Sequence, residues 1–331
     1  VLQNVKVERF NDQWVVRPDA EILVNMPPVN GATEDNDILI SGNAAQTIEA
    51  GKGSDIMMGR GGSDNYKINK GDTIEKNEAG EAILGDYGVA GDVVNEIGGS
   101  SEDKSDAINL TAATKIDQLT FIRTEIKNED YTNTLQINVD YDKNGTVDDT
   151  IYVFDHYNQN LGFRAVEKLY LDDGWDSDEI WNLVTGETSG SSETYAGTEG
   201  QDILMAGLNE ATLAGGNGKD ILIGEDFFST SDGTINYDVA TNFVLGINSV
   251  DRDAGVEWDG VADLIQNFGF TDTLDLSNLG IIDKSELVVA GNSLVRKGGD
   301  EIANFSSFNN GLDLSKLLEE DAAYLTYSPA V

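Results

Sequence analysis

AGKGSDIMM (residues 50–58) runs directly into GRGGSDNYK (59–67), two nine-residue words with one grammar: small or glycine residues in the turn, an aspartate at the sixth place and an apolar side chain at the eighth. The beat extends backwards, so that Leu39, Ile48, Met57 and Tyr66 stand nine positions apart. It returns at Leu204, Leu213 and Leu222, where GTEGQDILM (197–205) and GGNGKDILI (215–223) repeat the same words. A fixed period of this kind marks stacked supersecondary units.

Nine residues divide into a six-residue turn and a three-residue strand whose middle side chain points inward. Glycines at the first, second and fourth places are expected to tolerate positive φ and to expose their carbonyls. The sixth-place carboxylate adds charge to that ring of oxygens, which suits a hard cation such as Ca²⁺. If one turn of the coil uses two words, loops i and i+2 stack on one edge and a complete site needs both. The sixth places are Asp37, Gln46, Asp55, Asp64 and Thr73 in the first array, and Asp202, Ala211 and Asp220 in the second. One good site is therefore expected between the loops ending at Asp37 and Asp55, and another between those ending at Asp202 and Asp220. Asp55 and Asp64 are expected to join weaker sites with the loops near Thr73 and Gln46.

On these residues the chain resembles the RTX (repeats-in-toxin) family, over roughly 31–76 and 196–225. A weaker resemblance to the β-rich segments that flank RTX blocks covers 115–180, and GVADLIQNFGFTDTLDLSNLG (260–280) is similar to the cap that follows such repeats. The resemblance implies an all-β fold of two short parallel β-rolls joined by an antiparallel β-rich segment, with a mixed C-terminal cap. It implies several Ca²⁺ ions, held by Ala32, Glu34 and Asp37; by Ala50, Gly51, Lys52, Gly53 and Asp55; by Gly62 and Asp64; by Asn69 and Gly71; by Gly197, Glu199 and Asp202; and by Gly216, Gly218 and Asp220. It further implies export by the bacterial type I secretion machinery and a secreted, extracellular or cell-surface location. The expected role is a non-catalytic, calcium-folded region of a large surface adhesin. Two alternatives stand beside it: the RTX tail of a secreted hydrolase, and a Ca²⁺-dependent module recognising glycan, peptide or ice.

Composition sets bounds on partners. Sixty acids against 21 bases leave a formal charge of −39, a surface that repels nucleic acid phosphates and anionic lipid and attracts divalent cations. Cysteine is absent, so metal rather than disulfide is the expected staple. No run of 18 apolar residues argues for membrane insertion. A monomer is expected. The start VLQNVKVERF lacks both Met and a signal-peptide pattern, so the chain is expected to be a piece of something longer.

The expected divisions are 1–30 as the end of a β-segment, 31–76 as the first repeat array, 77–190 as intervening β-structure, 191–225 as the second array and 226–331 as cap and secretion region. Strands are expected in 1–30 before Pro27-Pro28, and again in LTFIR, TLQINVDY, DTIYVFDHY and VEKLYLDD, with a hairpin at Asn144-Gly145. GETSGSSETYAG (186–197) reads as a linker. Asp140, Asp142, Asn144 and Asp148 have the opening of an EF-hand loop, but Ile151 stands where its Glu should be, so an acidic hairpin turn is preferred. The single histidine, His156, lacks Ser, Cys or His companions and reads as a packed side chain. Asp172, Asp173, Asp176 and Asp178 near Trp175 and Trp181 form a candidate ligand platform, for which acidic surface over buried Trp is the simpler account. Phe268, Phe270, Leu274, Leu276 and Leu279 are expected to make the apolar face of the cap.

Overall fold

The computed structural model describes residues 8–10, 13–15, 22–24, 35–74, 84–85, 89–96, 106–111, 114–126, 131–157, 166–171, 179–185, 187–189, 192–207, 209–224, 239–246, 261–299, 301–306, 314–319 and 324–327. Strands dominate them, with a few short 3₁₀ turns. Two compact units divide the chain, Val1–Ile180 and Trp181–Val331.

In the first unit the nine-residue words send alternate strands to alternate sheets. Ile38–Ile40 and Ile56–Met58 pair in parallel, while Thr47–Glu49 pairs in parallel with Asn65–Ile68 in a different sheet. The register is i to i+18 in both, Leu39 opposite Met57 and Ile48 opposite Tyr66, and all four of these side chains are fully buried. Each three-residue strand is too short to hold itself and gains from the eighth-place side chain, whose burial stabilises by roughly 1.5–3 kcal/mol. On the opposite face of the first sheet, Ile38, Ile56 and Val93 pack with Phe154 in a second apolar layer.

Parallel pairing continues well past the words that announce it. Asp92–Val94 adds beside Ile56–Met58 and Asp149–Val153 beside Asp92–Val94, while Ala107–Leu110 adds beside Asn65–Ile68 and Lys168–Leu171 beside Ala107–Leu110. Antiparallel structure enters as the meander Leu119–Ile126, Tyr131–Val139 and Asp149–Val153. Of the N-terminal strands, Ile22–Val24 joins Ile38–Ile40 in parallel, and Glu8–Phe10 pairs with Gln13–Val15 as a hairpin.

The second unit repeats the scheme. Glu179–Val184, Asp202–Met205, Ile221–Ile223, Asp263–Gln266 and Glu301–Phe305 pair successively in parallel, and so do Ser192–Ala196, Glu210–Ala214, Thr241–Val244, Thr273–Asp275 and Leu325–Thr326. The linker expected at 186–197 is corrected here: Glu187–Ser189 and Ser192–Ala196 form a hairpin. The physical reason is Tyr195, nine positions before Leu204 and buried opposite Leu213, which gives this Gly/Ser/Thr-rich stretch a side chain to bury. Phe268, Leu274, Leu276 and Leu279 are buried as expected of the cap, with Phe268 set against Phe243, Phe305 and Tyr324. Phe270 departs from that group and is about half exposed. Leu287–Ala290 and Ser293–Arg296 add an antiparallel hairpin beside Glu301–Phe305.

Candidate metal centre

The sixth-place aspartates form a hydrogen-bonded ladder. The Asp37 N–H donates to Asp55 Oδ1 at 2.6 Å, and the Asp37 carbonyl accepts from the Ile56 N–H at 2.9 Å, so each rung pinches the backbone of the rung before it. The pinch recurs as Gln46 N–H to Asp64 Oδ1 at 2.8 Å, and as Asp202 N–H to Asp220 Oδ1 at 3.0 Å. Asp37, Asp55, Asp64, Asp202 and Asp220 are all buried. Eighteen residues separate the partners in each of these N–H to carboxylate contacts.

Acids outside the written words extend the ladder. Asp55 N–H donates to Asp92 Oδ1 at 3.0 Å, Asp64 N–H to Asp106 Oδ1 at 2.7 Å, and Asp106 N–H to Glu167 Oε2 at 2.9 Å. In the second unit Asp220 N–H donates to Asp263 Oδ1 at 3.1 Å, and Thr241 N–H to Asp272 Oδ1 at 2.7 Å. Sequence reading missed these residues because the loops between them lengthen and the period of nine is lost. One signal survives: each of these aspartates stands two places before a fully buried apolar residue, as in Asp92 with Val94, Asp106 with Ile108, Asp263 with Ile265 and Asp272 with Leu274. The structure also sets Asp92, rather than Thr73, against Asp55; Thr73 instead donates from its N–H to Asp149 Oδ1 at 3.1 Å, and Gly71 to Asp149 Oδ2 at 2.7 Å.

Glycine serves two purposes in the loops. Positive φ occurs at the second and fourth places, in Gly51, Gly53, Gly62, Gly216 and Gly218, and Arg60 adopts it at a second place without being glycine. The expectation of positive φ at the first place is corrected: Gly59, Gly197 and Gly215 have ordinary φ, and what they supply is room. A Cβ on Gly215 would lie 2.2 Å from Asp220 Oδ2, and one on Gly59 would lie 2.6 Å from Asp64 Oδ2. At the fourth place closeness is between loops, since a Cβ on Gly53 would meet the Asp35 carbonyl at 2.9 Å and one on Gly218 the Gly200 carbonyl at 2.3 Å.

Of the other expected ligands, Ala50 is buried, Lys52 and Glu199 are exposed, and Glu199 accepts from the Asn217 side chain at 2.8 Å. The Asn69 side chain is tied to Glu49 and Thr111. Ala32 and Glu34 lie outside the described residues.

Crowded acids alter one another. Burial, with Asp92, Asp37 and Asp72 nearby, pushes the Asp55 carboxyl up to about 10, against a partial offset from the Asp37 N–H. Burial and the neighbouring Asp149 and Asp72 push Asp92 up as well. Asp64, Glu96 and Asp106 bring carboxylate oxygens within 4.8 Å of one another, all three buried, and Glu96 also accepts from the Tyr66 hydroxyl. Burial and Asp106 raise Glu96 to about 8. Asp55 Oδ2 and Asp92 Oδ2 are buried and accept no hydrogen bond. Such atoms cost free energy unless something neutralises them.

Asp140, Asp142 and Asp148 also converge, in the partly exposed turn between Tyr131–Val139 and Asp149–Val153, where Asp140 accepts from the Asn144 and Gly145 N–H groups. This is the hairpin turn expected from Asn144-Gly145. His156 is buried edge-on to Tyr157, and burial together with Arg123 lowers it to about 3, which leaves it neutral and packed. Trp181 is fully buried and so is no ligand platform, while 172–178 lie outside the described residues. Among the described residues no helix is long and apolar enough to cross a membrane.

No family model matches this chain, and no curated relative matches it. Among solved structures it matches the extracellular lipase LipA from Serratia marcescens, at 14% identity and a TM-score of 0.22, over 92% of this chain. The chain spans about 42% of the length of that structure. At that TM-score the likeness carries no argument about this chain's chemistry. The expectation of a non-catalytic chain is not kept; the protein matched is by its title a lipase.

Proposed function

We propose that this chain is the calcium-folded β-roll region of a secreted bacterial exoprotein, exported through the type I machinery and ordered by extracellular Ca²⁺, and that the exoprotein is a hydrolase. One observation carries the calcium reading: sixth-place aspartates stacked 18 residues apart hold backbone N–H groups with one oxygen, while Asp55 and Asp92 keep the other oxygen buried and without a hydrogen bond. An all-oxygen shell of carboxylate and loop carbonyl suits Ca²⁺, and the absence of a Cβ at Gly53, Gly216 and Gly218 is what lets stacked loops approach closely enough to share an ion. Bound calcium would supply positive charge that offsets the repulsion among these acids. The chain's own part is to hold the rungs in register through the pinched backbone. The alternation of parallel strands between sheets in each unit supports the reading of two β-rolls.

In the cytoplasm, with little free Ca²⁺, the stacked acids repel and the glycine loops keep their entropy, so the chain stays open for export. Outside, sites with Kd on the order of 10⁻⁴ to 10⁻³ M fill at millimolar ion and stabilise the fold by mass action. The hydrolase part of the reading is the RTX-tail alternative raised by the repeat words, in which the calcium-folded roll serves as the folding and export device of an enzyme. A circular dichroism titration with Ca²⁺ and chelator tests the first part, with β-structure expected to appear only with ion. An unchanged spectrum in excess chelator at pH 7.5 would falsify it. Ester and peptide hydrolysis assays on the calcium-loaded protein and on any longer form of it test the second.

A further inference from the structure

We propose that Asn144 is a site of self-catalysed deamidation, with the Gly145 nitrogen as nucleophile, Asp140 as its base and the Thr146 N–H as the donor to the developing oxyanion. Neither Asn144 nor Asp140 belongs to the aspartate ladder, and water is the only co-reactant.

Glycine after Asn144 leaves the next peptide nitrogen unshielded: a Cβ on Gly145 would meet open space, and both residues are exposed to water. The turn sets a group against each reacting atom. Gly145 N–H donates to Asp140 Oδ2 at 2.7 Å, which places the in-plane proton on a carboxylate and leaves the nitrogen π electrons to attack. Thr146 N–H donates to Asn144 Oδ1 at 2.7 Å, polarising the side-chain carbonyl and folding it back over the Gly145 peptide. Asn144 Nδ2 donates to Asp142 Oδ2 at 3.0 Å and the Asn144 N–H to Asp140 Oδ1 at 3.1 Å, so the residue is held at both ends. Charge around Asp140 comes from Asp142 and Asp148 of the same turn and from the Lys143–Asp117 ion pair beside it. In the reaction the Gly145 nitrogen bonds to Asn144 Cγ and its proton passes to Asp140. The Cγ–Nδ2 bond then breaks, the proton moves on to Nδ2 and ammonia leaves. Water opens the resulting succinimide to aspartate or isoaspartate, and Asp140 is restored. Either product adds a negative charge among Asp140, Asp142 and Asp148, whose oxygens already converge, and isoaspartate also lengthens the main chain of the turn. The change reaches the first repeat array, because Asp148 Oδ2 accepts from the Tyr141 N–H at 2.9 Å and the adjacent Asp149 accepts from Gly71 and Thr73.

The test incubates the full chain in ¹⁸O-labelled water, in a buffer where circular dichroism shows it folded, and follows residue 144 by peptide mass spectrometry. A positioned general base contributes about 10²- to 10⁴-fold, and from a base as weak as aspartate at least about tenfold is expected over the same chain unfolded in urea. Asp140→Asn keeps an acceptor for the Gly145 N–H but is no base, and should slow the folded chain to the urea rate. Its remaining rate should climb in proportion to hydroxide between pH 6 and pH 8, while that of the parent stays flat, a difference that a packing defect does not imitate. A folded parent that takes up no ¹⁸O at residue 144, or does so no faster than in urea, overturns the assignment. So does a folded Asp140→Asn chain that reacts as fast as the parent. Should Asp140→Asn fail to fold, the parent's own pH profile decides: a flat profile sustains the assignment and one proportional to hydroxide rejects it. All of these outcomes leave the calcium reading where it stands.

Discussion

Asp55→Asn should have opposite effects with and without calcium. In the metal-free fold the Asp55 carboxyl is held up to about 10, mainly by burial and then by Asp92, against 3.8 for an ordinary aspartate. Sign follows from linkage: the folded state keeps a proton that the unfolded chain has lost, so stability is fullest below about pH 4 and declines as pH rises towards 10. Each pH unit in that window costs about 1.4 kcal/mol per such group, so between pH 5 and pH 8 Asp55 alone removes up to ~4 kcal/mol. Asparagine has the shape of the protonated acid, keeps an oxygen for the Asp37 N–H, and carries no charge to lose. In excess chelator at pH 8 the variant should therefore retain more β-structure than the parent, which the charge on Asp55 helps to unfold, and the two should converge at pH 5. In calcium the order should invert, with the midpoint of the Ca²⁺ titration at least tenfold higher for the variant. Thermal melts followed by circular dichroism at both pH values, with and without ion, give all four comparisons. A metal-free parent whose stability rises from pH 5 to pH 8, or a variant indistinguishable from it in chelator, would refute the reasoning.

Three further outcomes are expected. Gly215→Ala should cost more than 2 kcal/mol in the calcium-loaded protein, since the new methyl would lie 2.2 Å from Asp220 Oδ2, whereas Gly145→Ala, with open space but a φ of 85°, should cost only about 1 kcal/mol by chemical denaturation. Arg60→Gly should leave stability unchanged or raise it by less than about 1 kcal/mol, because relief of the left-handed backbone at φ 76° is offset by a more flexible unfolded chain. Tyr195→Ala should lose about 3–5 kcal/mol, a core-sized effect, and a loss below 1 kcal/mol would restore the linker reading of 186–197.

What could be read from the chain beforehand depended on period. Where loops are six residues long, Leu39, Ile48, Met57 and Tyr66 keep step, and both the parallel pairing and the i, i+18 partnership of Asp37 with Asp55 follow from counting. Past Thr73 the loops vary in length, so Asp92, Asp106, Glu167, Asp263 and Asp272 carry the same ladder with no spacing to betray them. Local composition misled at 186–197, where small polar residues look like tether but Tyr195 and the partner strand at 210–214 impose extended structure. First-place glycines were attributed to backbone freedom, yet what they provide is space for a carboxylate, a property visible only once the aspartate has folded back over its own loop.

The ladder has a direction. In every rung described the donor N–H belongs to the earlier residue and the accepting carboxylate to the later one. Losing a rung from the C-terminal side strands the amide that its carboxylate held, and losing one from the N-terminal side strands the amide that its carbonyl held, as Asp37 holds the Ile56 N–H. Only the charge is one-sided: a coil that loses its forerunner is left with a bared carboxylate oxygen for an ion or solvent to serve, whereas a coil that loses its follower bares only a neutral carbonyl.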